Sequence, residues 1–173
     1  MRNVKIDTGR LVITIFDESM VESVHYNSLD ENNRKFVPDE VFETLEEARE
    51  TILFLMKCYE SENDGPKVYP IILKTGENIG YVQAVTLEKN EWEIGYHIAE
   101  NYTRNGYATE AVRAFVPEVT KLLGITHIWG ICRGDNIASR KVLEKCSFKL
   151  HNRSIEDYKG EQHEVYKYLY SIT

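Results

Sequence analysis

The sequence predicts a mixed α/β domain of the α+β kind: a twisted, mainly antiparallel sheet of about seven strands flanked by helices. Three observations carry this. Period-two segments follow one another between residues 68 and 99, joined by turns too short for a crossover. At Gly106 the apolar period changes from two to 3.6. Strand, helix and two more strands complete the chain. The 173 residues suit one domain, and no linker interrupts the pattern across 1–173.

In order, "RLVITIF" (Arg10 to Phe16) is β-branched and reads as a strand. Asp17 or Ser19 can cap a short helix through about Leu29. "DENNRKFVPDEV" reads as a loop in which Pro38 forbids a long helix. Thr44 and Glu47 resemble a capping box, and Ala48, Ile52, Leu55, Met56 and Tyr59 follow at near-helical spacing until "ENDGPK". "VYPIILK" and "NIGYVQAVTLE" flank "TGE" as a hairpin, and "EWEIGYHIA" adds a third antiparallel strand. Ala108, Ala111, Val112, Phe115, Val119, Leu122 and Leu123 form one helix face, with a kink or break expected near Arg113 to Val116 because Pro117 lies inside it. "ITHIWGIC" is a strand, and "DNIASRKVLEKC" is a helix capped by Asp135 or Asn136. "SFKLHNRS" and "EVYKYLYSI" are the last two strands.

Composition narrows function. Apolar residues make up 42% and the formal net charge is -7. That balance argues against a nucleic-acid surface and weakly favours a cationic or amine-bearing partner. Cys58, Cys132 and Cys146 are an odd number without CxxC spacing, so they form neither a disulfide framework nor a zinc site. They read as reduced, partly buried thiols of a cytoplasmic protein. The opening residues lack a signal-peptide apolar region, and every apolar stretch is too short to span a bilayer, which predicts no membrane partner.

"NYTRNGYATEA" raises the functional question, because glycine costs about 1 kcal/mol in a helix interior and here stands where a helix begins. A strand–loop–helix turn leaves backbone N–H groups unpaired at the helix start, with Arg104, Asn105, Gly106, Tyr107, Ala108 and Thr109 as candidates. Small residues and the positive end of the helix dipole suit a phosphate. A tight turn needing glycine for positive φ is the competing reading. The spacing is neither a P-loop nor a dinucleotide fingerprint. Downstream, Asn136 and Ser139 lie three residues apart at the start of a second helix, so they share one face.

Together "NGYATEAVRAF" and "GDNIASRKVLEKCSF" resemble the GCN5-related N-acetyltransferases (GNAT), most closely the branch of ribosomal-protein N-terminal acetyltransferases. "IDTGRLVITIFDESMVESV" resembles the first strand and helix of that branch, and "EWEIGYHIAENYTRNGYATEA" its fourth strand and acetyl-CoA loop. The resemblance spans nearly the whole chain and is weakest from Ser28 to Lys67. It implies acetyl-CoA as cosubstrate, with no metal. It implies that Arg104 to Thr109 hold the pyrophosphate through backbone N–H groups and that Asn136 and Ser139 contact the pantetheine arm or the thiol end. It also implies that the strand around Tyr96, His97 and Ile98 splays from the strand Ile125 to Cys132, with the pantetheine in the gap. Three positions depart from the family: Thr103 in the loop, Ser147 where a glycine often precedes the phenylalanine, and Leu143 where many relatives carry the tyrosine that protonates the leaving thiolate.

Acetyl transfer to a primary amine, whether a protein N-terminus or a small amine, must deprotonate an ammonium, polarise the thioester and protonate a thiolate. Strand alternation puts Glu93, Gly95 and His97 on one face and Trp92, Ile94, Tyr96 and Ile98 on the other. Glu93 reads as the general base or as a surface carboxylate paired with a lysine. Four residues put His97 on the order of 13 Å from Glu93, so the two form no pair, and His97 reads as a sheet histidine bonded to backbone. A backbone N–H on the splayed strand is the oxyanion donor, and Ser139 or a water protonates the thiolate. Cys132 reads as a lining residue. The segment "NSLDENNRKFVPDEVF" and the helix after it cover the acceptor side, where Asp30, Glu31, Asp39 and Glu40 either favour a cation or are simply solvated. Tyr166, Tyr168 and Tyr170 share one strand face, explained by a core face or a homodimer contact rather than a nucleic-acid platform. The rival function is a CoA-binding or sensor module without turnover, and a weaker one an unrelated phosphate-binding domain.

Overall fold

A computed structural model describes residues 4–60, 65–158 and 160–172. Its strands form one sheet in the order β1-β2-β3-β4-β5-β6-β8-β7. In chain order these are β1 Ile6–Asp7, β2 Leu11–Ile13, β3 Lys67–Leu73, β4 Asn78–Thr86, β5 Trp92–Ile98, β6 His127–Arg133, β7 Lys149–Tyr158 and β8 Glu161–Ser171. Every neighbouring pair is antiparallel except β5 with β6. The expected order of elements is present, with the two-residue β1 as the additional strand.

Among the described residues, five α-helices cover the sheet: α1 Val21–Ser28, α2 Glu31–Phe36, α3 Leu45–Glu60, α4 Tyr107–Leu123 and α5 Ile137–Lys145. Strand alternation sorts them into two layers. Val82, Ala84 and Ile94 point to one face and pack with Ala111, Val112 and Phe115 of α4 and Leu143 of α5. Phe16, Val68 and Tyr81 meet Val21 of α1 and Ala48, Ile52 and Leu55 of α3. Tyr166 and Tyr168 are buried in the first cluster, so their strand face is a core face.

Local chemistry explains where elements begin and end. The Asp17 carboxylate accepts from Ser19 N–H, starting a 3₁₀ turn that leads into α1. The Thr44 hydroxyl accepts from Glu47 N–H at 3.1 Å, while the Glu47 carboxylate reaches back to Glu43 N–H at 2.7 Å. The reciprocal cap therefore closes one residue earlier than in a strict capping box.

Four expectations are corrected. The first strand stops at Ile13 rather than Phe16, and Phe16 turns into the second cluster, its N–H donating to the Tyr59 hydroxyl at 3.3 Å. Residues 31–36, expected as loop, form α2, capped by Asp30, whose carboxylate accepts from Asn33 N–H at 2.7 Å. Asn33 is buried, and its amide donates to Ser28 and Glu40 carbonyls at 2.9 and 3.0 Å. Pro38 does end that helix. In α4 the chain runs unbroken through Pro117. Pro117 is on the exposed side of the helix, and Thr120 Oγ1 donates to the Val116 and Pro117 carbonyls. The last hairpin is longer than expected, and Tyr158 at its tip donates to the Phe36 carbonyl at 3.2 Å.

Candidate active site

The sheet opens at its one parallel contact. β5 and β6 pair only at Glu93↔Trp129 and Ile94↔Gly130. Beyond that point β5 stays bonded to β4 and β6 to β8, so the two strands turn unpaired edges toward each other. Leu143 fills the space that a side chain at Gly130 would take, with its Cδ2 2.5 Å from that position, which seats α5 tightly on β6. From the other strand the Tyr96 hydroxyl lies 2.9 Å from Ser139 Oγ and donates to the Ser139 carbonyl at 3.0 Å. A cleft of about 810 Å³ occupies the gap.

Glu93, Tyr96, His97, Ile98, Ala108, Asn136 and Ser139 all line this cleft. Burial pushes the Tyr96 phenol far up and the Cys132 thiol to about 11, against the pull of Ser139 on both. Both groups therefore keep their protons at neutral pH, and Cys132 is a neutral wall of the cleft. Asn136 is the N-cap of α5: its Oδ1 accepts from Ser139 N–H at 3.2 Å. It fills both offices, cap and cleft lining.

Of the loop from Arg104 to Thr109, Ala108 lines the cleft, whereas Arg104, Asn105, Gly106, Tyr107 and Thr109 do not. Arg104 and Gly106 sit at φ 64° and 78°, in the left-handed region. α4 starts at Tyr107 with no side-chain cap, so the N–H groups of its first turn have no partner within the helix. A Cβ on Gly106 would lie 3.5 Å from Arg10 Nη2. The backbone angle favours glycine there, as a tight turn does.

Gly106 and Thr109 instead line an outer hollow of about 450 Å³ with Arg10, Arg113 and Lys145. Arg10 braces this hollow: it donates to the Asn105 carbonyl at 2.9 Å, pairs with Glu110 at 2.7 Å, and stacks over the Tyr107 ring at 4.4 Å. Burial pushes the Glu110 carboxyl up, but Thr8 and Arg10 draw it down to a net lowering. An exposed pair of this kind contributes about 1 kcal/mol at most. Its importance lies in holding the loop's shape.

On the opposite face, Gly95 leaves room for Gln83. Its Nε2 would be 2.7 Å from a Cβ there, and Gln83 crosses the glycine to donate to Glu40 at 3.0 Å. His97 differs from expectation. Its Nε2 lies 2.9 Å from Asp30 Oδ2, and the two side chains are 11% and 9% exposed. The histidine is paired with a carboxylate and not with backbone. Burial raises the Asp30 carboxyl, but His97 and the Asn33 amide bring it to a net lowering. Nothing in the sequence linked them, because Asp30 lies on a segment read as loop. Glu93 lies half-buried in the cleft, beside Gly95 on the same face.

Asn27, Ser28, Asp39, Glu40 and Phe42, with α3, wall a second pocket on this face. It holds about 400 Å³ and shares Glu40, Tyr81, Gln83 and His97 with the cleft.

Among known proteins, the acetyltransferase (GNAT) domain family matches residues 10–149. The N-acetyltransferase YnaD of Bacillus subtilis (strain 168) is 30% identical over 146 residues, covering 83% of this chain and 82% of that one. A GNAT-family acetyltransferase from Bacillus anthracis superposes with a TM-score of 0.82 at 24% identity, over 97% of this chain and 98% of the other. RimL, the ribosomal L7/L12 α-N-protein acetyltransferase solved with coenzyme A, gives 0.83 at 23% identity over 98% of both chains.

Proposed function

This chain belongs to the acetyltransferase (GNAT) family, and on that premise we propose that it transfers the acetyl group of acetyl-CoA to a primary amine by direct attack on the thioester. The observation that supports this best is the loss of β5–β6 pairing beyond Ile94 and Gly130, with the uncapped first turn of α4 at one end of the gap. Backbone N–H groups within Arg104 to Thr109 receive the pyrophosphate. The unpaired edge from Tyr96 to Ile98, with Asn136 and Ser139, receives the two amides of the pantetheine. A β5 N–H stabilises the oxyanion as the amine nitrogen bonds to the carbonyl carbon.

Glu93 takes the ammonium proton, directly or through water. As the C–S bond breaks, the thiolate takes a proton from Ser139, whose hydroxyl lies 2.9 Å from that of Tyr96. Water in the open cleft returns the proton to Ser139, and Tyr96 keeps its own proton and holds the Ser139 hydroxyl in place. The acceptor is a small amine or a protein N-terminus.

Glu93→Gln keeps the shape but cannot accept a proton. A general base is worth about 10²–10⁴-fold, so kcat/KM should fall by that factor and the acidic limb of its pH profile should vanish. A variant that keeps the wild-type rate and limb would assign the proton to another group.

A further inference from the structure

The pocket of about 400 Å³ beside the cleft restricts the amine, and we infer that it takes a small primary amine with a compact apolar body, aryl or branched alkyl. This rests on the acetyl-transfer reading and specifies its acceptor.

Three observations converge on that class. First, the pocket's inner wall is hydrocarbon: Phe16, Val24, Ile52, Leu55 and Val68, with Phe54 at its rim. Its volume is at the lower end of small-ligand pockets.

Second, three polar side chains that reach it, those of Asn27, Ser28 and Asn78, are engaged within the protein. The Asn27 amide donates to the Asn78 carbonyl at 2.9 Å, the Asn78 amide to the Ser23 hydroxyl at 3.1 Å, and the Ser28 hydroxyl to the His25 carbonyl at 2.8 Å. A peptide would bring its own N–H and C=O groups, and burying them unpaired is costly.

Third, the ionisable groups gather where pocket and cleft meet. Glu40 and His97 line both spaces, Asp30 backs His97 at 2.9 Å, and Asp39 adjoins Glu40. One ammonium is therefore welcome at the mouth, whereas a second one carried inward, as by a polyamine, meets the hydrocarbon of Phe16, Ile52, Leu55 and Val68 with no carboxylate beside it. The same mouth opens into the cleft that Glu93 lines, so an amine whose body fills the pocket extends its nitrogen into the cleft.

The test is competition among acceptors with the full chain: phenethylamine, isopentylamine, ethanolamine, spermidine, and tetrapeptides beginning with Ser or Phe, read as kcat/KM. Acetyl-CoA affinity is measured separately by calorimetry. The two apolar amines should exceed every other acceptor at least tenfold. Val24→Phe, which fills the pocket, should lower the preference for phenethylamine over ethanolamine at least tenfold. Phe54→Ser should lower it about threefold; Phe54 is 55% exposed, so its loss cannot unfold the protein. Preference for spermidine, for ethanolamine or for either peptide would overturn the inference. Failure to bind acetyl-CoA, or binding without turnover of any amine, would instead overturn the reading beneath it.

Discussion

Gly106 and Asp30 are opposite cases of what one residue reveals. Gly106 stood out because a glycine at a helix start is costly, and its φ of 78° gives the reason. A non-glycine residue there costs about 1–2 kcal/mol. Gly106→Val should therefore lower the melting temperature by a few degrees and, by reshaping the loop, weaken acetyl-CoA more than tenfold in calorimetry. Unchanged affinity in the folded variant would remove the loop from the site. Asp30 gave no such signal, since its partner His97 is distant in sequence and they meet only because α2 folds against β5. Its carboxyl sits below its ordinary value of 3.8, so the pairing stabilises the fold above that value and the contribution is lost as pH falls through the lower folded-state value. Asn caps a helix about as well as Asp. Asp30→Asn should consequently melt below wild type at neutral pH, with the gap closing below about pH 3.8. A gap constant with pH would mean that the charge is not what stabilises.

At the scale of elements, strongly periodic segments were legible and weakly patterned ones were not. The meander and both helices of the motif pair declared themselves through spacing of two or 3.6. The six residues of α2 have no apolar stripe and depend on a cap and on buried Asn33, so they read as loop. Pro117 suggested a break, yet α4 runs on through it with Pro117 on its exposed side. The end of α5 illustrates a departure with a physical cost. Ser147 has φ 68°, the left-handed conformation that glycine adopts without strain. Ser147→Gly relieves about 1–2 kcal/mol of strain, partly offset by the entropy of the freer unfolded chain. The expected net is about 1 kcal/mol, or roughly 2–4 °C in melting temperature for a chain of this size. A lower melting temperature would show that Ser147 has a partner worth more than its strain.

Across the whole molecule, the order of elements was readable but their meeting was only implied. Alternation along β5 assigned Glu93 and His97 to one face, and the family resemblance supplied the gap between β5 and β6. No local signal places α2, Gln83 and Glu40 over that face, because those contacts join segments far apart in sequence. The central claim is that acetyl-CoA lies where β5 and β6 part, with its pyrophosphate at the start of α4. Amide hydrogen exchange with and without acetyl-CoA tests this most directly. Slowed exchange at residues 95–98 and 104–109, with the β7–β8 hairpin unchanged, is the predicted result. Protection confined to other segments, or equal across the chain, would contradict the claim.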